Sequence, residues 1–409
     1  MTTTARHLPA SSDPGVLVLV GTTKGAFLLR SDRKRKRWDV GGPYFPGHSI
    51  YALAYDGRAG RRRIWAAASS MHFGATLHSS DDFGRKWTDP ETASVRFPQS
   101  TDKALAQVWQ LTPGRDSEPD TLYCGVEPAA LFVSRDAGDT WELERGLWDH
   151  PHRPQWQPGG GGLGLHTISL HPTDPHKLLV AISTGGVYAS DDAGTSWRAS
   201  TRGVRADFLP DKQPEFGQCV HKIARSPADP ERLYLQNHWG LYRSDDGGAS
   251  WTDIANGVPS DFGFPVAAHP RDRDTAWIVP LESDGFRVTP GGKLRVYRTT
   301  NGGKMWKPMS KGLPQDGAYE TVLRDGLAVD ALDPVGVYFG TRRGEVWASS
   351  DEGESWKLAL GGLPPVVCVK AVGLGGKLAA KPKKAAKKAA RADKKAAKSD
   401  KKAKKKNKK

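Results

Sequence analysis

Short apolar runs, each closed by turn residues, recur along this chain in a fixed order. In residues 163–200, "LHTISLHPTDP" is an apolar strand ended by a Pro/Asp turn, and "KLLVAIS" is a second strand. "TGG" is a tight turn, "VYAS" a third strand, and "WRAS" after the octamer "SDDAGTSW" begins a fourth. Residues 217–254 repeat the series as "CVHKIARSPADP", "RLYLQN", "HWG", "LYRS", an octamer and "WTDI". Four short strands per unit, evenly spaced with turn chemistry between them, predict the blade of a β-propeller.

The octamer counts the units. Full copies of Ser-x-Asp-x-Gly-x-x-Trp end at Trp87, Trp141, Trp197, Trp251 and Trp356. A weaker copy, "TTNGGKMW", ends at Trp306 with Asn301 in the Asp position, and a degenerate one ends at Trp38. Their spacing of 49 to 56 residues gives seven units. The first unit opens with its second and third strands, "VLVLVG" and "AFLLRS", and lacks a first. The last apolar segment, "PPVVCVKAV" at 364–372, is an orphan first strand. The expectation is an all-β chain: a single seven-bladed β-propeller over 15–372, closed by the C-terminal strand docking in the first blade, which leaves no free sheet edge. A flexible N-terminus (1–14) and a disordered basic tail (373–409) flank it.

Charge separates the tail from the ring. The formal net charge is +15, and residues 377–409 carry 16 Lys and one Arg against two Asp, which accounts for all of it. The body is neutral. The Lys/Ala-rich tail has no aromatic residue and cannot build a core. Non-specific, salt-sensitive binding of nucleic acid or another polyanion through 377–409 is its expected role. No apolar stretch approaches the ~20 residues of a membrane span, and the N-terminus has no apolar leader core. Cys124, Cys219 and Cys368 lie in apolar runs with no metal-type spacing. Buried reduced thiols are expected, as in a cytoplasmic monomer.

Every residue of the octamer has a folding role. Asp82, Asp136, Asp192, Asp246, Asn301 and Asp351 can accept bonds from nearby backbone N–H groups. Glycine supplies a positive φ, and Trp packs between sheets. The pattern resembles the Asp-box, or bacterial neuraminidase repeat, of sialidases, sortilin-type receptors and plant photosystem II stability/assembly factors. "GTTKGAFLLRSD" (21–32), "GVEPAALFVSRDAGDTW" (125–141), "QNHWGLYRSDDGGASW" (236–251) and "SDFGFPVAAHP" (260–270) are similar to phrases of a bacterial sialidase-like, WD40/YVTN/BNR-like group of single-ring proteins. The resemblance spans about 15–372 and implies a propeller. The sialidases it points to have six blades, an Arg-Ile-Pro motif, an arginine triad and a Tyr/Glu pair. Here seven units occur, "RRRIW" and "SVRFP" only approximate the motif, and Tyr319 and Glu320 are adjacent on the chain. The resemblance therefore carries fold and not catalysis.

In a propeller the turns after strand two and the inter-blade loops share one face, and the octamers occupy the other. Ligand chemistry is expected on the first face. The candidates are the cations Lys24, Arg324 and Arg342, the acids Glu127 and Glu282, the aromatic Trp156, and the histidines His72, His166, His221 and His238. His166 and His221 align at the heads of adjacent first strands, beside Glu127 and His238. Two long loops, 142–164 and 198–218, border this face, and loops beyond ~12–15 residues are usually functional or disordered. Trp faces with Arg, Lys and His suit a small polar or sugar-like ligand, or a protein partner. A glycosidase would need two acids ~5–10 Å apart, drawn from Glu127, Glu282, Asp284, Glu320 and Asp325. The histidines are dispersed in sequence, so no metal is expected. "GGGGLG" lacks a following Lys-Ser/Thr, so no phosphate loop or cofactor is expected. The expected function is a binding or assembly scaffold; the alternative is a sialidase-like glycosyl hydrolase in the same cleft.

Overall fold

The computed structural model describes residues 6–9, 14–70, 74–88 and 95–375. Seven antiparallel sheets are arranged as a seven-bladed propeller, six of them four-stranded. The sheet of blade two has three strands among the described residues: Ser49–Asp56, Arg63–Ser70 and Gly74–Ser80. Thr88 continues it outward, donating its N–H to the Ser79 carbonyl at 2.9 Å.

Blade one is assembled from both ends of the ring. Its order is Val366–Leu374, Gly15–Thr22, Gly25–Asp32, Asp39–Tyr44. The closing strand pairs along Gly15–Thr22, with Val20 opposite Val369 and Gly21 opposite Cys368. It runs to Leu374, two residues past the expected boundary, because Gly15 finds its partner there. The expected basic tail from 376 onward lies outside the described residues. The N-terminus departs from expectation: Arg6 exchanges two backbone hydrogen bonds with Gly42, and Leu8 is buried beside Tyr44 on the outer edge of blade one. An apolar side chain next to an unpaired outer strand gains more by docking than by staying in water.

The octamers are latches. In blade four the Ser190 hydroxyl donates to Asp192 Oδ1 at 2.8 Å and accepts the Gly194 N–H at 2.8 Å. Asp192 accepts the Ser196 N–H at 2.9 Å and its hydroxyl at 2.6 Å. The same bonds recur around Asp136, Asp246 and Asp351. Asn301 accepts the Met305 N–H in the same way, at 3.0 Å. The glycine is required twice over at Gly138. Its φ is 96°, and a Cβ there would lie 2.3 Å from the Trp65 ring. The tryptophans tie blade to blade: Trp251 Nε1 donates to the Ser200 carbonyl and Trp306 Nε1 to the Ile254 carbonyl, each at 2.8 Å. The core is correspondingly a series of inter-blade layers, such as Trp65, Leu122, Cys124 and Phe132 between blades two and three.

Candidate functional site

The two long loops start beside the octamer of the next blade, with Gly146 against the Gly194 and Thr195 carbonyls and the Arg202 carbonyl accepting the Trp251 N–H at 2.9 Å. They run over to the opposite face, where Gly159 meets Thr184 and the Gly217 N–H donates to the Gly185 carbonyl at 3.1 Å. Loop 142–164 begins with the short helix Arg145–Trp148 and a single turn at Arg153–Gln155. Its aromatic residues fasten it. Trp156 is buried and donates to the Tyr188 hydroxyl at 2.8 Å, and His152 Nδ1 lies 3.1 Å from the same oxygen. The His152 ring stacks on Phe216 at 4.1 Å, and the Arg153 guanidinium sits 3.3 Å from the Trp148 ring centre. Trp156, expected to stack on a ligand, serves packing instead, because its indole N–H finds a partner only in the protein interior. Loop 198–218 is held by Ala206, whose N–H donates to the Lys212 carbonyl at 3.0 Å, and by Gln218, which donates to the Pro214 carbonyl at 2.6 Å.

Between these loops and the turn at 237–241 lies a cavity of about 520 Å³. Gln155 and Gln157 line one side, Phe208, Phe216 and Trp239 another, and Cys219, His238 and Asp284 its inner wall. Phe208 is half exposed and stacks on Trp239 at 5.0 Å. A second cleft, of about 280 Å³ among Pro280, Pro290 and Tyr297, is smaller and carries less chemistry.

The inner strands bring together groups far apart in sequence. His221 is buried, with Nδ1 2.5 Å from the Gly263 carbonyl and Nε2 3.7 Å from Cys219 Sγ. Its ring lies 5.4 Å from that of His238. His238 in turn lies 3.2 Å from Asp284. His166 is buried with both nitrogens engaged, on the Thr167 hydroxyl at 3.0 Å and the Val220 carbonyl at 2.9 Å. Burial, assisted by the Arg324 charge, holds His166 and His221 well below the usual imidazole range, so both are neutral at pH 7. His166 is satisfied by protein and has no nitrogen left for a ligand.

Arg324 lies 4.9 Å over the Trp109 ring, and its Nη1 is buried without a hydrogen-bond partner among the described residues. Trp109 Nε1 donates to Glu127 Oε2 at 2.9 Å. One residue on, Asp325 receives Lys222 Nζ and Lys370 Nζ, both at 2.7 Å from Oδ1. These two ammonium groups hold the Asp325 carboxyl far below its ordinary range despite burial. The triad links blades five and seven and the closing strand of blade one.

Of the expected site residues, His238 lines the cavity, His166 and His221 are buried in the strands, and Glu127 and Arg324 meet across Trp109. Lys24 is exposed on its own turn in blade one, and Glu282 is exposed, accepting the Gly291 N–H at 3.3 Å. Arg342 sits on the blade-seven turn with Nη1 buried and unpartnered among the described residues. His72 lies outside the described residues. The candidate acids are each drawn to a different neighbour: Glu127 to Trp109, Asp284 to His238, Asp325 to two lysines, and Glu320 to Arg343 at 3.2 Å. Trp109, Lys222 and Lys370 escaped the sequence reading, and Cys219 entered it as a buried thiol and not as a site residue. The Cys219-x-His221 spacing at a strand head was the signal for that role. Of the expected buried thiols, Cys124 and Cys368 are buried, whereas Cys219 is partly exposed to the cavity.

No family model matches the chain. Among curated proteins it is similar to the oligoxyloglucan-reducing end-specific xyloglucanase of Emericella nidulans, with 27% identity over 52% of this chain and 29% of that protein. It is also similar to xyloglucanase Xgh74A of Acetivibrio thermocellus, 24% identical over 59% of this chain and 30% of that one. The chain thus spans less than a third of these two relatives. The photosystem II assembly lipoprotein Ycf48 of a Synechococcus is 24% identical over 41% of this chain and 45% of its own. Among solved structures, YCF48 bound to a D1 peptide superposes with a TM-score of 0.50 at 14% identity, covering 87% of this chain and 88% of that one. An ancestral GH74 enzyme superposes with a TM-score of 0.50 at 15% identity, covering 79% and 38%. At such identities the superpositions establish the propeller fold, with assembly-factor and glycoside-hydrolase propellers as its neighbours.

Proposed function

We propose that this propeller is a binding scaffold whose loop face takes an extended peptide segment of a partner protein. The cavity of about 520 Å³ carries the reading. Its Phe208, Phe216 and Trp239 surfaces suit apolar side chains, while Gln155, Gln157 and the Gly159–Gly160 backbone offer hydrogen bonds to a main chain. A solved neighbour of the same fold binds a peptide, which supports the class of ligand. On this reading the octamers are Asp-box latches of structural use only, the protein acts as a cytoplasmic monomer, and the segment from 377 adds a polyanion-binding appendage through its net +15 charge.

A sugar in the same cavity is the second reading, favoured by the xyloglucanase relatives and by the stacked Phe208–Trp239 platform. The test sets the two side by side. Peptides selected from a random display library against the full chain are measured on wild type and Trp239→Ala. They are expected to lose about tenfold or more in affinity on that truncation, a typical cost for a buried aromatic anchor. Selected peptides that bind both proteins equally would refute the peptide reading. Release of reducing ends from xyloglucan or aryl glycosides by wild type, abolished in Glu127→Gln, would replace it with the hydrolase.

A further inference from the structure

The inner wall of the cavity holds a side-chain cluster that peptide binding does not require. Cys219 directly precedes the innermost strand of blade five, Val220–Ser226, and His221 is its second residue. Two residues apart on extended chain, they share a face. His238 is brought over them by the hairpin turn, its N–H donating to the Cys219 carbonyl at 2.9 Å. One donor atom from each of the three lies within 4.8 Å of the others. Tetrahedral zinc, with Zn–S of ~2.3 Å and Zn–N of ~2.0–2.1 Å, separates its sulfur and nitrogen ligands by about 3.6 Å. Cys219 Sγ and His221 Nε2 are 3.7 Å apart, close to the separation that one sulfur and one nitrogen ligand of an ion need.

The remaining ring nitrogens have partners that orient such ligands. A carbonyl only accepts, so His221 Nδ1, 2.5 Å from the Gly263 oxygen, carries the proton. Nε2 is then a bare lone pair facing the thiol. His238 Nε2 lies 3.2 Å from Asp284 Oδ2, the carboxylate–histidine pairing that fixes metal-bound imidazoles. We propose that Cys219, His221 and His238 form a three-ligand site for a zinc-like divalent transition metal, with its fourth position open to the cavity and Asp284 positioning His238. One thiolate and two imidazoles suit zinc or cobalt and disfavour magnesium and calcium, which take oxygen. Three protein ligands with an open fourth position leave room for water or for an anionic group of whatever occupies the cavity.

Cobalt(II) added to the metal-stripped full chain is the probe. One equivalent is expected to bind with a thiolate-to-cobalt charge-transfer band, and Cys219→Ser is expected to abolish that band. Asp284→Asn is expected to weaken cobalt binding by about tenfold or more while leaving the band in place. A second measurement covers the case in which Cys219→Ser does not fold. Zinc should slow alkylation of Cys219 in the wild-type chain by about tenfold or more, because the metal takes the reacting thiolate lone pair. The buried Cys124 and Cys368 serve as internal references. Absence of the charge-transfer band, its persistence in Cys219→Ser, or Cys219 alkylation at the same rate with and without zinc would overturn the site.

Discussion

Asp325→Asn is the sharpest test of how the ring is held shut. Asp325 stands just ahead of the inner strand of blade seven, Leu327–Val329, and accepts Lys222 from blade five and Lys370 from the closing strand, each at 2.7 Å. Its backbone also joins the closure, its carbonyl accepting the Val369 N–H at 2.7 Å. At an effective dielectric of ~20, each contact is worth about 6 kcal/mol of gross Coulomb energy. Burying the charges cancels most of that, so the net worth of the triad is small. Removing the carboxylate is another matter, because it leaves two ammonium groups facing one another with little water. Losing one partner of a buried ion pair costs about 3–5 kcal/mol. The lysine side chains are 14% and 26% exposed, which favours the lower end of that range. The expected result is a melting temperature lower by about 3–10 °C at neutral pH, followed by near-ultraviolet circular dichroism and calorimetry. Adding Lys370→Met to Asp325→Asn removes one of the stranded charges and should recover part of the loss. A single variant as stable as wild type, or a double variant no better than the single, would refute the argument that charge across the channel secures closure.

Ending the chain at Leu363 removes the closing strand and strips Val16, Val18 and Val20 of their neighbours Val366 and Val369; the ring should fail to melt cooperatively, whereas a chain ending at Gly376 should keep the wild-type transition. Acidification should weaken the latches. The bonds from Thr140 and Ser134 depress the Asp136 carboxyl to about 2, below the ~3.9 of an unfolded Asp, so its stabilisation is present above pH ~4 and is lost as pH falls through about 2. Asp136→Asn should cost about 1 kcal/mol at neutral pH and flatten the stability decline between pH ~4 and ~2, since Asn301 already makes the corresponding backbone bond in blade six. Affinity for double-stranded DNA should fall steeply with salt in the full chain and be lost in a chain ending at Gly376; equal binding by both would remove the tail from that role.

The octamer spacing counted seven blades because each copy forms its bonds within eight residues, and local bonds need no knowledge of distant chain. Closure was also legible: an unpaired first strand at one end and a missing one at the other have a single mutual solution, realised as Val366–Leu374 against Gly15–Thr22. The docked Leu8 was not, because one apolar residue in a polar leader has no period to reveal it. The site divides in the same way. Sequence led to the expectation of ligand chemistry on the loop face and to His221 and His238 as candidates, since the turns after strand two and the strand heads must lie there. It could not tell that Trp156 would be consumed in fastening its own loop, or that Asp325 would be held between two lysines from other blades. Nor could it bring Cys219 to within 3.7 Å of His221 Nε2 with His238 above them. Strand alternation gives the face a side chain is on. Which neighbour it meets across a channel depends on the packing of seven sheets about one axis, and only the tertiary structure decides that.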